Sequence, residues 1–138
     1  MTQIPKFKDA LLTLEDRVAT LTLNRHDIRN TLTGTGLIDH IEDTAAWVNA
    51  TPEVSALIIT GAGSAFSAGG NVKAMAEQSQ DFAGDIGSVA EGYRAGIQRI
   101  PLAMESLEVP SIAAVNGAAI GAGCDLTCMC DIRIASTD

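Results

Sequence analysis

Lysine is scarce in this chain: Lys6, Lys8 and Lys73 are the only three. Lysine and arginine together number 9 against 17 aspartates and glutamates, a formal net charge of −8. General nucleic-acid binding needs Lys and Arg to neutralise phosphates, and this balance excludes it. Any anionic ligand must be held by local donors against an unfavourable field. Aromatic residues are 4% of the chain, too few for stacking platforms on single strands. No apolar run approaches the ~20 residues that span a bilayer. Met1 to Asp9 has no apolar signal core, so a cytoplasmic location is expected. The three cysteines, Cys124, Cys128 and Cys130, are odd in number and clustered, and do not form a disulfide framework. Their spacing supplies three ligands and no second knuckle. They read as buried apolar cysteines rather than a metal centre.

What is present is a globular composition, 46% hydrophobic and 19% charged over 138 residues. That suits one compact domain and not two. Ala10–Glu15 and 18–24 alternate apolar and polar residues around Asp16-Arg17, the pattern of a hairpin. Residues 25–30 form a polar loop. Thr33 or Thr35 is placed to cap a helix running to Asn49, with Leu37, Ile41, Ala45 and Val48 on one face. Residues 54–60 are a nearly continuous apolar run, read as a buried strand. A loop of small residues follows over 61–70, then a short helix from Asn71 or Val72 to Glu77. Residues 78–92 are polar and poorly patterned, the composition of a mobile segment over a site. Tyr93 to Glu108 has helical spacing at Ile97, Ile100, Met104 and Leu107, with Pro101 expected to kink or split it. Ser111–Val115 is a third core strand, 116–123 a second small-residue loop, Cys124–Met129 a short helix, and 131–135 a further strand. This alternation predicts an α/β fold with parallel strands.

The two small-residue loops carry the chemistry. Each follows a core strand and leads toward a helix, and small residues let a ligand approach backbone N–H groups closely. Side by side they would aim two donors at one oxygen, an oxyanion hole; the same composition also makes ordinary tight turns. Phe66 occupies the place of the third glycine of a dinucleotide fingerprint, and neither loop ends in Gly-Lys-Ser/Thr, so phosphate-cradling motifs are excluded. Asp125 follows the second loop among Cys124, Leu126, Cys128 and Met129. An apolar setting would desolvate its carboxylate and raise its pKa; alternatively it is a carboxylate stabilised by a helix N-terminus. Ser64 and Ser67 have no histidine nearby in sequence, and His26 and His40 could join them only through the fold.

Phe66-Ser-Ala-Gly-Gly-Asn-Val-Lys73 resembles the first signature of the crotonase superfamily, the enoyl-CoA hydratases and isomerases. Pro110 to Leu126 resembles the second, Cys130 to Ser136 continues it, and Leu23 to Leu32 is similar to the family's loop after its first hairpin. The resemblance implies an α/β crotonase-like spiral of ββα units, here without the C-terminal helical region that assembles trimers or hexamers. It makes residues 1–138 a crotonase-like core, the N-terminal part of a longer chain. It implies an acyl-CoA thioester as substrate, no cofactor beyond the coenzyme A moiety, and no nucleic-acid or membrane partner. Gly70 and Ala122 would supply the two oxyanion N–H groups and Asp125 the acid or base. Ile28, Arg29, Ala68, Asn71 and Val72 match coenzyme A contacts, with Arg25, Arg29 and Lys73 as local positive charge. Asp125 stands where hydratases usually have glutamate and some isomerases aspartate; Ala122 replaces a common glycine, Asn71 a frequent aspartate and His26 a frequent proline. The family's second catalytic carboxylate belongs after Asp138. The expected activity is hydration of a 2-enoyl-CoA, with double-bond isomerisation and a non-catalytic binding or scaffold subunit as alternatives.

Overall fold

A computed structural model describes residues 3–137. Strands β1 (Ala10–Glu15) and β2 (Val18–Leu23) form the expected hairpin, turned by Asp16 and Arg17 at positive φ. Helix α1 spans Leu37–Asn49, and Leu37, Ile41, Ala45 and Val48 are all buried on one face. Neither threonine caps it directly. Gly36 holds the cap position and donates its N–H to the Asp9 carboxylate at 2.8 Å, while Thr35 Oγ1, one residue outside, accepts from Leu37 N at 3.2 Å. Strand β3 (Ala56–Gly61) follows, then a three-residue strand β4 (Ala65–Ser67) inside the segment read as loop.

Helix α2 (Val72–Ala76) is capped by Asn71, whose Oδ1 accepts from Ala74 N at 3.0 Å. The segment read as patternless is instead structured. A 3-10 turn at Gln80–Phe82 leads into helix α3 (Ile86–Ala95), capped by Asp85. None of the residues of α3 is buried, although Ile86, Val89, Ala90 and Tyr93 stand at the spacing of one helical face, a pattern the sequence reading passed over. The next helix, α4 (Arg99–Glu105), is separated from α3 at Gly96 and not at Pro101. Pro101 is the third residue of α4, within the first turn, where no intrahelical N–H is missed. Strand β5 (Ser111–Val115), the two-residue strand β6 (Ala118–Ala119), helix α5 (Ala122–Met129) and strand β7 (Ile132–Ala135) complete the chain.

The main sheet has the order β1-β2-β3-β5-β7, antiparallel in the hairpin and parallel from β2 onward. A second, two-stranded sheet pairs β4 with β6 in parallel. Alternate residues of the main sheet, among them Leu12, Leu21, Leu57, Ile59 and Ala113, face one core with Leu37 and Ile41 of α1, Met104 of α4 and Leu126 of α5. No helix among the described residues is long and apolar enough to cross a membrane.

Candidate active site

The β4–β6 pair brings the two small-residue loops into backbone contact. A Cβ on Gly69 would lie 2.3 Å from Ile120 O and 3.0 Å from Ala122 N; one on Gly123 would lie 2.4 Å from Ser67 O. Gly69 also has φ of +77°, so both proximity and conformation demand glycine there. Ser67 ties the loops together. Its Oγ donates to Asn30 O at 2.7 Å and accepts from Gly69 N at 3.1 Å, and its carbonyl accepts from Ile120 N at 2.9 Å.

Those bonds use some N–H groups of the two loops and leave others on the cavity free among the described residues, those of Gly70, Val72, Gly121 and Ala122. Gly69 N is held by Ser67, and Asn71 N donates to Thr33 Oγ1 at 2.8 Å. Ile120 N is held by Ser67 O, and Gly123 N donates to Ile120 O at 2.9 Å. Among the described residues, Gly70 N–H and Ala122 N–H donate to no protein acceptor. Gly70, Ala122 and Asp125 all line one cavity of about 410 Å³. Free backbone donors from both loops beside one cavity suit an oxygen that gains negative charge during reaction.

Asp125 falls in the first turn of α5, which starts at Ala122, two residues earlier than expected. It is exposed, so the burial expected from its apolar neighbours is not there. Successive helical side chains diverge by about 100°. Leu126 accordingly turns into the core while Cys124, Asp125 and Cys128 face outward. The cysteines are corrected likewise: Cys124 and Cys128 are exposed, and only Cys130 is buried. Burial pushes the Cys130 thiol up to about 11. No group of His, Cys, Asp and Glu among the described residues is placed to hold a metal ion.

The loop after the hairpin runs beside the first signature. Ala68 N donates to Arg29 O at 2.8 Å, Leu32 N donates to Gly69 O at 2.8 Å, and Thr31 bridges Gly69 in parallel. Ile28 and Arg29 are thereby placed next to Ala68 and exposed, while Ala68 and Val72 line the cavity. The Asn71 side chain is used for capping α2. Two of the three expected cations are already paired. Arg25 makes two 2.9 Å bonds to Asp27, which hold that exposed carboxyl below its ordinary range, and Lys73 lies 3.9 Å from Glu77. Arg29 makes no ion pair among the described residues.

Three supporting residues escaped the sequence reading. Thr33 fixes Asn71 beside Gly70. Asn30 Nδ2 lies 3.0 Å from Ala62 O and Ala65 O and 3.2 Å from Phe66 O, and Asn116 Nδ2 lies 3.1 Å from Gly63 O. The asparagines clamp the first loop from two sides. Ser67, weighed as a nucleophile, is a buried hub without a histidine: His26 is exposed, and His40 stacks on Phe7 with centroids 4.6 Å apart.

Stacked ββα units, a growing parallel sheet and two loops meeting at one cavity define a crotonase-type α/β fold. The profile of the enoyl-CoA hydratase/isomerase family matches residues 13–138, and the chain belongs to that family. It is 36% identical over 133 residues to a crotonyl-CoA hydratase of Syntrophomonas wolfei, covering 96% of this chain and 48% of the relative. It is 35% identical over 136 residues to a short-chain-enoyl-CoA hydratase of Clostridium acetobutylicum, covering 96% and 48%. The crystal structure of an enoyl-CoA hydratase/carnithine racemase from Magnetospirillum magneticum superimposes with a TM-score of 0.82 at 26% identity, covering 94% of this chain and 47% of that one. The chain thus spans about half the length of the curated relatives it matches.

Proposed function

We propose that the protein is a hydratase of 2-enoyl-CoA thioesters. The observation that carries this reading is the pair of N–H groups, Gly70 and Ala122, free of protein acceptors at one cavity. They donate to the thioester oxygen as it takes on charge, which lowers the barrier to an enolate-like intermediate. The hydroxyl of water adds to the β-carbon and a proton to the α-carbon. Asp125 takes part in that proton transfer with a second carboxylate, which we assign to the half of the fold that the relatives have beyond the matched region. Ile28, Arg29, Ala68, Asn71 and Val72 hold the coenzyme A part. The contact of Arg29 O with Ala68 N, which brings both segments to one edge, supports this assignment. With the reading go a cytoplasmic setting, no cofactor beyond the coenzyme A moiety, and trimers or hexamers of the full-length protein.

Full-length protein given crotonyl-CoA is expected to consume the enoyl absorbance. Asp125→Ala is expected to lower kcat by about 10²–10⁴-fold while acyl-CoA still binds. Unchanged turnover in that variant would remove Asp125 from the mechanism. Double-bond isomerisation is the second reading, favoured by aspartate at position 125. Conversion of a 3-enoyl-CoA to its 2-enoyl isomer, with no hydration of crotonyl-CoA, would select it.

A further inference from the structure

We propose that the site selects uncharged acyl chains longer than butyryl, seated against Phe82 and Tyr93, and disfavours chains that end in a carboxylate. The proposal rests on the reading that the cavity receives the acyl part of a coenzyme A thioester.

The cavity of about 410 Å³, which holds the thioester at Gly70 and Ala122, extends further than a butyryl chain fills. The wall is apolar and comes from four separate segments: Met75 of α2, Phe82 of the 3-10 turn, Tyr93 of α3 and Ile120 of the second loop. Apolar surface lining a cavity rewards a ligand for each methylene that covers it. The far wall is braced by the Phe82 and Tyr93 rings, which meet edge to face with centroids 5.9 Å apart. Gly92 lets α3 close on the turn, since a Cβ there would lie 2.8 Å from Asp81 O. Met75 reaches from α2 to the oxyanion loop, its Cε 2.5 Å from where a Gly70 Cβ would sit. The apolar wall therefore begins at the donor itself.

Charge sets the second half of the specificity. Among the described residues, the charged side chains lining the cavity are Asp81 and Asp125, both carboxylates. Asp81 adjoins Phe82 in the 3-10 turn, on the wall that a long chain reaches. A terminal carboxylate arriving there would shed water among apolar groups and meet a like charge.

The test measures dissociation constants of butyryl-, octanoyl- and adipyl-CoA for the full-length protein by calorimetry. These saturated probes cannot be hydrated, so the result does not depend on the chemistry. Octanoyl-CoA is expected to bind at least about tenfold tighter than butyryl-CoA, and adipyl-CoA more weakly than either. Tyr93→Ala should erase most of the octanoyl advantage. Asp81→Asn, at an exposed position, should narrow the gap between adipyl- and butyryl-CoA by about fivefold. Equal affinity for butyryl- and octanoyl-CoA, or adipyl-CoA binding as tightly as octanoyl-CoA, would overturn the proposal while sparing the acyl-CoA reading. An adipyl-to-butyryl ratio unmoved by Asp81→Asn would overturn the charge argument. Failure of all three probes to bind would overturn both.

Discussion

Asn30 shows how a residue that does not line the cavity helps to shape it. It is fully buried with φ of +55°, a conformation asparagine tolerates better than other side chains. Its Oδ1 accepts from Arg25 N at 2.8 Å while its amide nitrogen gathers three carbonyls of the first loop. Asn30→Ala would leave buried acceptors without a donor, and is expected to lower stability by about 2–4 kcal/mol in chemical denaturation. A loss under ~0.5 kcal/mol would mean that the clamp is dispensable. The sequence marks Asn30 only as a loop residue, because its acceptors lie more than thirty residues further along the chain. The two small-residue loops and Asp125 just after the second stand out in the sequence itself, whereas Gly70 and Ala122 are singled out within those loops only by the family resemblance. The expected desolvation of Asp125 fails because neighbours in a helical sequence are not neighbours in space.

At the level of elements, the hairpin and α1 are legible because their apolar periods match the faces they bury, and β3 and β5 because short apolar runs read as buried strands. Strands β4 and β6 are too short, and too rich in small residues, to show a period. Yet their pairing brings the two small-residue loops together. Gly123 in α5 tests this. Alanine is the better helix former by about 1 kcal/mol, so propensity alone predicts that Gly123→Ala stabilises. The contact with Ser67 O at 2.4 Å predicts instead a loss of at least about 2 kcal/mol, with weakened acyl-CoA binding. Gly87→Ala is the control. It lies in exposed α3, where the new methyl meets nothing closer than Asp85 Oδ1 at 3.4 Å, and should raise the thermal midpoint slightly. A stabilised Gly123→Ala would show that the loops do not press together.

For the molecule as a whole, the −8 net charge makes acidification a mixed perturbation, since it relieves repulsion while it breaks individual carboxylate contacts. Asp131 isolates one such contact. Its Oδ2 accepts from Ser111 N at 2.8 Å and Ser111 Oγ at 2.9 Å, joining the chain entering β7 to the start of β5. These bonds hold its exposed carboxyl below the usual carboxylate range. A depressed folded-state value means the contribution is complete above the unfolded value, about 3.9, and fades as pH falls through the folded one. Asp131→Ala should therefore have a lower urea midpoint than the parent near about pH 7, and the two should converge near about pH 2. A constant difference across that range would assign the effect to packing rather than ionisation.

The order of the main sheet has a consequence in time as well as in space. Its strands β1, β2, β3, β5 and β7 lie side by side in the order in which they leave the ribosome. Each new strand finds its partner already in place on the open edge, and none must be inserted between two that have already paired. Strands β4 and β6 step aside into a second sheet and do not interrupt the series. A nascent chain can thus add one layer at a time during translation, with little need to hold an unpaired strand for a mate still to be made.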